Sequence, residues 1–241
     1  MDKIGYAGKC LLIEQKGERV LVVGDLHLGY EGSMRASGLQ VPLKLYEQVI
    51  SDFEEIYNKV TENNSLKLDK IIVLGDVKHE FGYILDEEWS EIVNFIEHLK
   101  EKCKELVVIE GNHDKILFPI LKKLGIVASD YYLWNEFAFM HGDKEFIEIY
   151  DSKVKIWVVG HGHPAVTLQD GAKKEKYKCF LVGNFKGKSV IVVPSFFPLN
   201  EGTDARNFDM KFAWDLNLQG FDVKVVSDNL DVLDFGKLKD I

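Results

Sequence analysis

Five times along this chain a short apolar run ends abruptly in a polar loop that contains glycine. The runs are Arg19 to His27 (RVLVVGDLH), Lys70 to His79 (KIIVLGDVKH), Glu105 to Asp114 (ELVVIEGNHD), Glu136 to Asp143 (EFAFMHGD) and Lys155 to His163 (KIWVVGHGH). Continuous Val, Ile and Leu suit strands buried on both faces. Helical periodicity lies between the first of them. Leu45, Val49, Phe53, Ile56 and Val60 recur at spacings of three or four, with Pro42 near the expected start. Trp89, Ile92, Val93, Ile96 and Leu99 form a second stripe from about Glu87, with Asp86 as its expected cap. A shorter helix is expected between Lys115 and Leu124, with Pro119 either in its first turn or breaking it. After Lys155 strands dominate: Cys179 to Val182, Val190 to Val193 and Phe221 to Val226. Helices alternating with strands, then strands alone, point to an α/β sandwich with two sheets. The length of 241 residues fits one domain spanning 1–241.

Composition removes several classes of function. Hydrophobic residues make up 46% of the chain, enough for a core and too many for a disordered chain. No apolar run approaches the ~18 residues of a membrane helix, so no membrane partner is expected. The opening MDKIGYAGKC has no apolar h-region, so no secretory signal is read. Cys10, Cys103 and Cys179 stand far apart without a CxxC pair. They read as reduced core thiols of a cytoplasmic protein. The formal charge of −9 argues against a broad, non-specific grip on a phosphate backbone. A nucleic acid held locally by metal ions remains open.

The loops after the five runs carry Asp25, His27, Asp76, Asn112, His113, Asp114, His141, His161 and His163, which include five of the seven histidines. In open α/β sheets, ligands collect at the carboxyl ends of strands. Carboxylate, imidazole and amide oxygen together suit Mn²⁺, Fe²⁺, Zn²⁺ or Ni²⁺. No cysteine is in the set, which argues against a structural thiolate zinc site. The donors are too many for one tetrahedral ion and enough for two. Two ions can clamp an in-line displacement at phosphorus, with a bridging hydroxide as nucleophile.

In this order, DxH, GD, GNHD, HG and GHxH resemble the signature of the calcineurin-like metallophosphoesterases. Here they read Asp25-Leu26-His27, Gly75-Asp76, Gly111-Asn112-His113-Asp114, His141-Gly142 and Gly160-His161-Gly162-His163. The resemblance implies a four-layer α-β-β-α sandwich and two divalent ions, with Mn²⁺ the preferred pair. It implies that Asp25, His27 and His163 hold one ion and Asn112, His141 and His161 the other, with Asp76 bridging. His113 would stabilise the pentacoordinate phosphorus and protonate the leaving oxygen. Asp114 would orient His113 by a hydrogen bond; capping a helix after Lys115 is the other reading of that residue.

Three further segments, Asp25 to Pro42, Gly75 to Gly82 and Pro194 to Asp204, resemble the SbcD-related phosphoesterases. That group includes archaeal proteins and bacterial ligase-associated, helicase-clustered endonucleases. The resemblance implies a phosphodiester substrate, with single-stranded DNA preferred, and a helicase or ligase as a partner. Nuclease-type members have GDLxD after the second strand, whereas this chain has Gly75-Asp76-Val77-Lys78-His79. Lys78 and His79 are therefore expected beside the metals, as substrate contacts or pocket walls, with plain loop residues as the other reading. Arg35, in the loop before the first helix, is a phosphate contact or a solvated surface arginine. Ser195, Asn200 and Asp204 sit on a loop that either borders the site or is plain surface. Lys173, Lys174, Lys176 and Lys178 read as a solvated hairpin tip, with nucleic-acid contact as the sharper alternative. His98 reads as an exposed helical residue. The alternatives to a nuclease are a small-molecule or nucleotide phosphodiesterase or phosphatase, and a non-catalytic scaffold like the retromer subunit of this fold.

Overall fold

The computed structural model describes residues 3–39, 44–63, 66–199, 201–207 and 210–241. The positions of Pro42 and Asn200 lie outside the described residues. The chain opens with an antiparallel meander, β1 (Lys3–Ala7), β2 (Cys10–Gln15) and β3 (Glu18–Val23). Parallel strands β4 (Leu68–Val73) and β5 (Cys103–Val108) extend it into a five-stranded sheet, ordered β1-β2-β3-β4-β5. The connections carry α1 (Tyr30–Ala36), α2 (Leu45–Val60) and α3 (Asp86–Lys102), and α4 (Phe118–Lys123) follows β5.

The second sheet has nine strands. They are β6 (Tyr131–Trp134), β7 (Phe137–Met140), β8 (Ile156–Val159), β9 (Pro164–Asp170), β10 (Lys173–Phe185), β11 (Lys188–Val192), β12 (Thr203–Asp204), β13 (Asp222–Val226) and β14 (Val232–Lys237). The order is β12-β9-β10-β11-β8-β7-β6, with β13 on β10 and β14 on β13. β7, β8 and β11 run parallel at its centre.

Strand alternation sorts the core into three layers. Leu21 and Val23 of β3 join the cluster beneath the helices, with Phe53, Ile56, Ile92, Phe95 and Ile120. Val20 and Val22 point the other way and meet Phe139, Val158, Phe180 and Ile191 between the sheets. Trp157 and Val159 of β8 face outward onto Met210, Trp214, Leu216 and Leu218. This is the expected two-sheet α/β sandwich. Its fourth layer is thin: 3-10 turns at Ile147–Tyr150, Leu218–Gly220 and Leu238–Asp240 lie there with irregular chain. The buried apolar residues of α2, α3 and α4 all belong to the cluster on the first sheet.

Several local expectations change. Asp86 is the first residue of α3 and not its cap. The turn is closed by Glu88, whose Oε2 accepts the Leu85 amide at 3.3 Å. α1 was not expected, because seven residues with Gly32 and Ser33 inside carry little helical signal. It places Arg35 on a helix, where the guanidinium pairs with Glu87 on the exposed surface. His98 is half-buried, with Nε2 2.7 Å from Glu54 Oε1. Lys173 and Lys174 do flank the exposed β9–β10 turn, whereas Lys176 and Lys178 lie farther along the same long strand.

Candidate metal centre

The loops after β3, β4, β5, β7 and β8 converge at one edge of the sandwich. Backbone bonds lace them together: Asp25 N–H donates to Gly75 O, His27 N–H to Asp76 O, and Gly160 N–H to His141 O. Asp25, His27, Asp76, His161 and His163 all have positive φ, between 43° and 62°. Such conformations cost about 1–3 kcal/mol each and persist only where surroundings enforce them. Asp, Asn and His tolerate them better than branched residues. Gly111 is required by space: a Cβ there would lie 2.2 Å from Asp76 Oδ1.

Two donor groups result. Asp25, His27, Asp76 and His163 offer one atom each, all within 4.8 Å of one another. Asp76, His141 and His161 form the second group on the same criterion. Asn112 joins the second group, its Oδ1 3.0 Å from His141 Nε2. Asp76 belongs to both. Its Oδ1 accepts the His113 amide at 3.0 Å, while Oδ2 lies 3.4 Å from His141 Nε2 and 3.9 Å from His27 Nε2.

This donor set fits two divalent cations. His27 Nε2 faces His163 Nε2 at 3.3 Å, and His141 Nε2 faces His161 Nδ1 at 3.1 Å. Opposed ring nitrogens can share a proton or point their lone pairs at a common cation. The surrounding carboxylates Asp25 and Asp76 favour positive charge. Burial raises the Asp76 pKa, but the His141 hydrogen bond and the histidine charges outweigh it and hold the carboxyl well below the usual range. Burial likewise lowers His141, but Asp76 and Asp25 outweigh it and push the imidazole up to about 10. Burial and the neighbouring His163 pull His27 down to about 3, favouring the neutral ring that a metal needs.

The two subsites are held differently. In the second, His141 Nδ1 is 2.8 Å from Leu74 O, and His161 Nε2 is 3.2 Å from Lys211 O. These carbonyls orient both rings, as partners of metal-bound imidazoles commonly do. Phe212 closes over this subsite, and a Cβ on Gly162 would meet its ring at 2.4 Å. The first subsite opens on a cavity of about 580 Å³ lined by His27, Tyr30, His79, His113, His163 and Phe197, among others. His27 Nδ1 has no hydrogen-bond partner among the described residues.

His113 stands at the cavity with Nε2 3.8 Å from Asp76 Oδ2. Its Nδ1 bonds to the His79 carbonyl, and Phe81 lies against the ring at a centroid distance of 3.7 Å. Asp114 does not orient it. The Asp114 carboxylate instead accepts the amides of Gly111, Lys78 and Val77 at 3.0, 3.2 and 3.3 Å, tying the β4 and β5 loops together. Burial and the Asp76 charge push its pKa up to about 6 against those three bonds.

The expected substrate contacts divide. His79 lines the cavity, packed edge-on to Tyr30 at 4.6 Å. Lys78 does not reach it. Its side chain is fully buried, turned inward with Nζ 3.6 Å from Glu88 Oε1. Alternation places neighbours 78 and 79 on opposite sides. Arg35 is taken up by Glu87 and is not among the cavity residues.

The loop after β11 does border the site. Ser195 is buried and donates to Asp25 O at 2.9 Å; Phe196 and Phe197 donate to Gly24 O and Asp25 O. Phe197, Leu199, Glu201 and Gly202 line the cavity. Asp204 turns away, accepting from Thr167 N and pairing with Arg206. Two lysines brace this segment from below. Lys9 Nζ donates to Phe196 O at 2.9 Å, and Lys178 Nζ donates to Ser195 O at 2.8 Å and to Phe197 O. Burial, reinforced by the nearby Lys9 charge, pulls Lys178 well below the usual lysine range. Lys178 is thus an internal brace and not part of a solvated tip. Its alternation with Glu175 and Tyr177 resembles a wet strand, and only the fold reveals the carbonyls above it.

A profile of the calcineurin-like phosphoesterase family matches residues 18–227. The chain belongs to that family. No curated protein sequence matches the chain. Among solved structures, it is similar to the Pseudomonas putida nuclease MPE, with 16% identity, TM-score 0.60, and coverage of 98% of this chain and 100% of that one. The likeness is one of fold. Looser similarities are to the E. coli phosphoesterase YfcE (14% identity, 90% and 99% coverage, TM-score 0.46) and to zinc-bound Vps29 from Entamoeba histolytica (16%, 90% and 99%, 0.38). No described helix is long and apolar enough to cross a membrane.

Proposed function

We propose that this calcineurin-like phosphoesterase hydrolyses phosphodiester bonds with two divalent ions, and that its substrate is nucleic acid, single-stranded DNA foremost. The observation that carries the reading is the pair of donor groups sharing Asp76, with His113 beside the shared oxygen at the cavity. Asp25, His27 and His163 would hold one ion; Asn112, His141 and His161 the other. Mn²⁺ is the preferred metal, and Fe²⁺, Zn²⁺ and Ni²⁺ suit the same donors. When bound, the ions neutralise charge at phosphorus and acidify water.

The chain's own residues do the rest. The His79 carbonyl accepts from His113 and so requires a proton on Nδ1. The Nε2 edge, facing the cavity, is then the one that hydrogen-bonds a phosphoryl oxygen or gives a proton to the leaving oxygen. Phe81 and the His79 carbonyl fix the plane of that ring. Asp114 is a positioning residue, since it ties Gly111 to Val77 and Lys78 and thereby sets where Asn112 and His113 stand.

The preference for nucleic acid rests on the resemblance to the SbcD-related group and on an open cavity with aromatic and aliphatic walls. A helicase or ligase partner belongs to the same proposal. Three free, buried cysteines support a cytoplasmic place. A small-molecule or nucleotide phosphodiesterase is the second reading, favoured by the single lysine and absence of arginine among the described residues lining the cavity. Intact metal donors and His113 count against a pure scaffold.

The test is cleavage of a labelled single-stranded oligonucleotide by metal-stripped protein with Mn²⁺ restored, with a generic diester and a monoester as controls. We expect Mn²⁺-dependent cutting that His113→Ala lowers by ~10²-fold or more, the scale of losing one transition-state donor. Intact DNA with rapid diester turnover would move the substrate to small molecules. Failure on every ester would favour the scaffold.

A further inference from the structure

Among the described residues, the cavity beside the first subsite is lined by one cationic side chain other than histidine, and that residue has a weak counter-ion. Lys176 projects from β10, with Nζ 3.7 Å from Glu201 Oε2 and 3.4 Å from Gly202 O. Glu201 is 74% exposed at its side chain, so the pair is screened by water and readily exchanged. The same cavity wall also carries apolar side chains. Tyr30 and Phe197 pack at a centroid distance of 5.0 Å, and Leu199 is substantially exposed. A single phosphate ester held at His27, His163 and His113 would leave this part of the cavity unfilled.

We infer that Lys176 binds a second phosphate of the substrate, displacing Glu201, and that the Tyr30, Phe197 and Leu199 wall takes the attached base. The inference rests on the phosphoesterase reading and narrows its substrate to esters with two phosphates and an aromatic base. A nucleic-acid strand and a dinucleoside polyphosphate share that chemistry. An ammonium meets a phosphate oxygen with a charge-assisted bond, and aromatic faces accept any base without sequence preference. Glu201 keeps the lysine oriented when no substrate is present.

The experiment compares wild type, Lys176→Gln and Glu201→Gln in two arms. In the first, Mn²⁺-loaded protein turns over a generic diester with one phosphate, a single-stranded oligonucleotide and a dinucleoside polyphosphate. Lys176→Gln should raise KM for the substrates with two phosphates by about tenfold, the scale of one charge-assisted bond. It should leave their kcat and both constants for the generic diester unchanged. Whichever two-phosphate substrate shows the KM effect identifies the source of the second phosphate. Glu201→Gln should lower the same KM by a smaller factor. In the second arm, binding of a labelled phosphorothioate oligonucleotide and of the uncleavable dinucleoside analogue is followed by fluorescence anisotropy across salt concentrations. Lys176→Gln should weaken binding and reduce the salt slope by about 0.7, as one lost phosphate contact on a single strand does. Unchanged KM and binding in Lys176→Gln would overturn the inference. So would an equal loss with the generic diester, which would mark a merely structural residue. Absence of turnover by wild type on all three substrates would sink the phosphoesterase reading, while the anisotropy arm would still decide the role of Lys176.

Discussion

The two metal subsites share one carboxylate and are built on different principles. The second subsite is anchored by short, direct contacts: His141 to Leu74 O and His161 to Lys211 O, with Phe212 across the top. The first faces the cavity: the Asp25 carboxylate accepts the His161 amide at 3.1 Å, His27 Nδ1 has no hydrogen-bond partner among the described residues, and further support is indirect. Asp25 is held through Ser195 and Phe197, which are held by Lys178, and the Gly29 amide two residues beyond His27 is held by Glu91. A bridged pair of ions can thus have one partner fixed by the scaffold and one placed where substrate and solvent reach it. Orienting partners are worth roughly 10–100-fold in metal affinity. The second subsite should therefore hold its ion more tightly than the first.

The largest effect should erase the comparison altogether. Asp76→Asn removes the oxygen charge common to both subsites, so both ions should weaken and turnover should fall by ~10²–10³-fold. Metal content by mass spectrometry and steady-state kinetics check this; two ions retained at full occupancy would refute the bridging assignment. A sharper cut separates the subsites. His27→Ala should abolish the weak phase of Mn²⁺ binding and spare the tight one, whereas His161→Ala should remove the tight phase, as read by calorimetry. The same pattern in both variants would mean that the subsites do not differ.

A third change targets the indirect support. Lys178→Ala leaves the buried carbonyls of Ser195 and Phe197 short of a donor, with an expected cost of about 1–3 kcal/mol for each group left unpaired. Denaturant unfolding measures it. Loss of metal should then fall on the first subsite, and stability equal to wild type would contradict the brace.

The smallest effect is one of pH. Burial, with the Glu87 and Glu31 charges, pushes Glu91 up to about 7, against the Gly29 amide and Arg35. A carboxyl raised above its unfolded value of ~4.3 contributes stability that is complete below that value. The contribution is lost as pH rises through about 7. Metal-free protein should thus lose part of its stability between pH 5 and pH 8, and Glu91→Gln should flatten that slope. Parallel slopes in thermal melts would rule Glu91 out.

The contrast between subsites also marks where sequence reading stops. The donors themselves are legible, because each follows an apolar run that could only be a buried strand, and the structure brings all seven to one edge. α2 and α3 are legible from their stripes. The supports are not. Lys178 lies among charged neighbours in a strand, and nothing local announces the Ser195 and Phe197 carbonyls above it. Lys78 and His79 look equivalent beside Asp76, yet one turns into the core to Glu88 and the other faces the cavity. Asp114 follows His113 directly but bonds to three amides, because the β4 loop brings those donors closer than the ring. Left-handed backbone at Asp25, His27, Asp76, His161 and His163 is a tertiary consequence of lacing five loops together. The glycines flanking these residues were the only local signal of it.

The most direct test is a titration of metal-stripped protein with Mn²⁺ in which bound metal and phosphodiester turnover are followed together. Two equivalents should bind with affinities differing by roughly 10–100-fold, and turnover should appear with the second, weaker one. A single equivalent, two indistinguishable ones, or turnover complete after the first would contradict the paired, unequal centre.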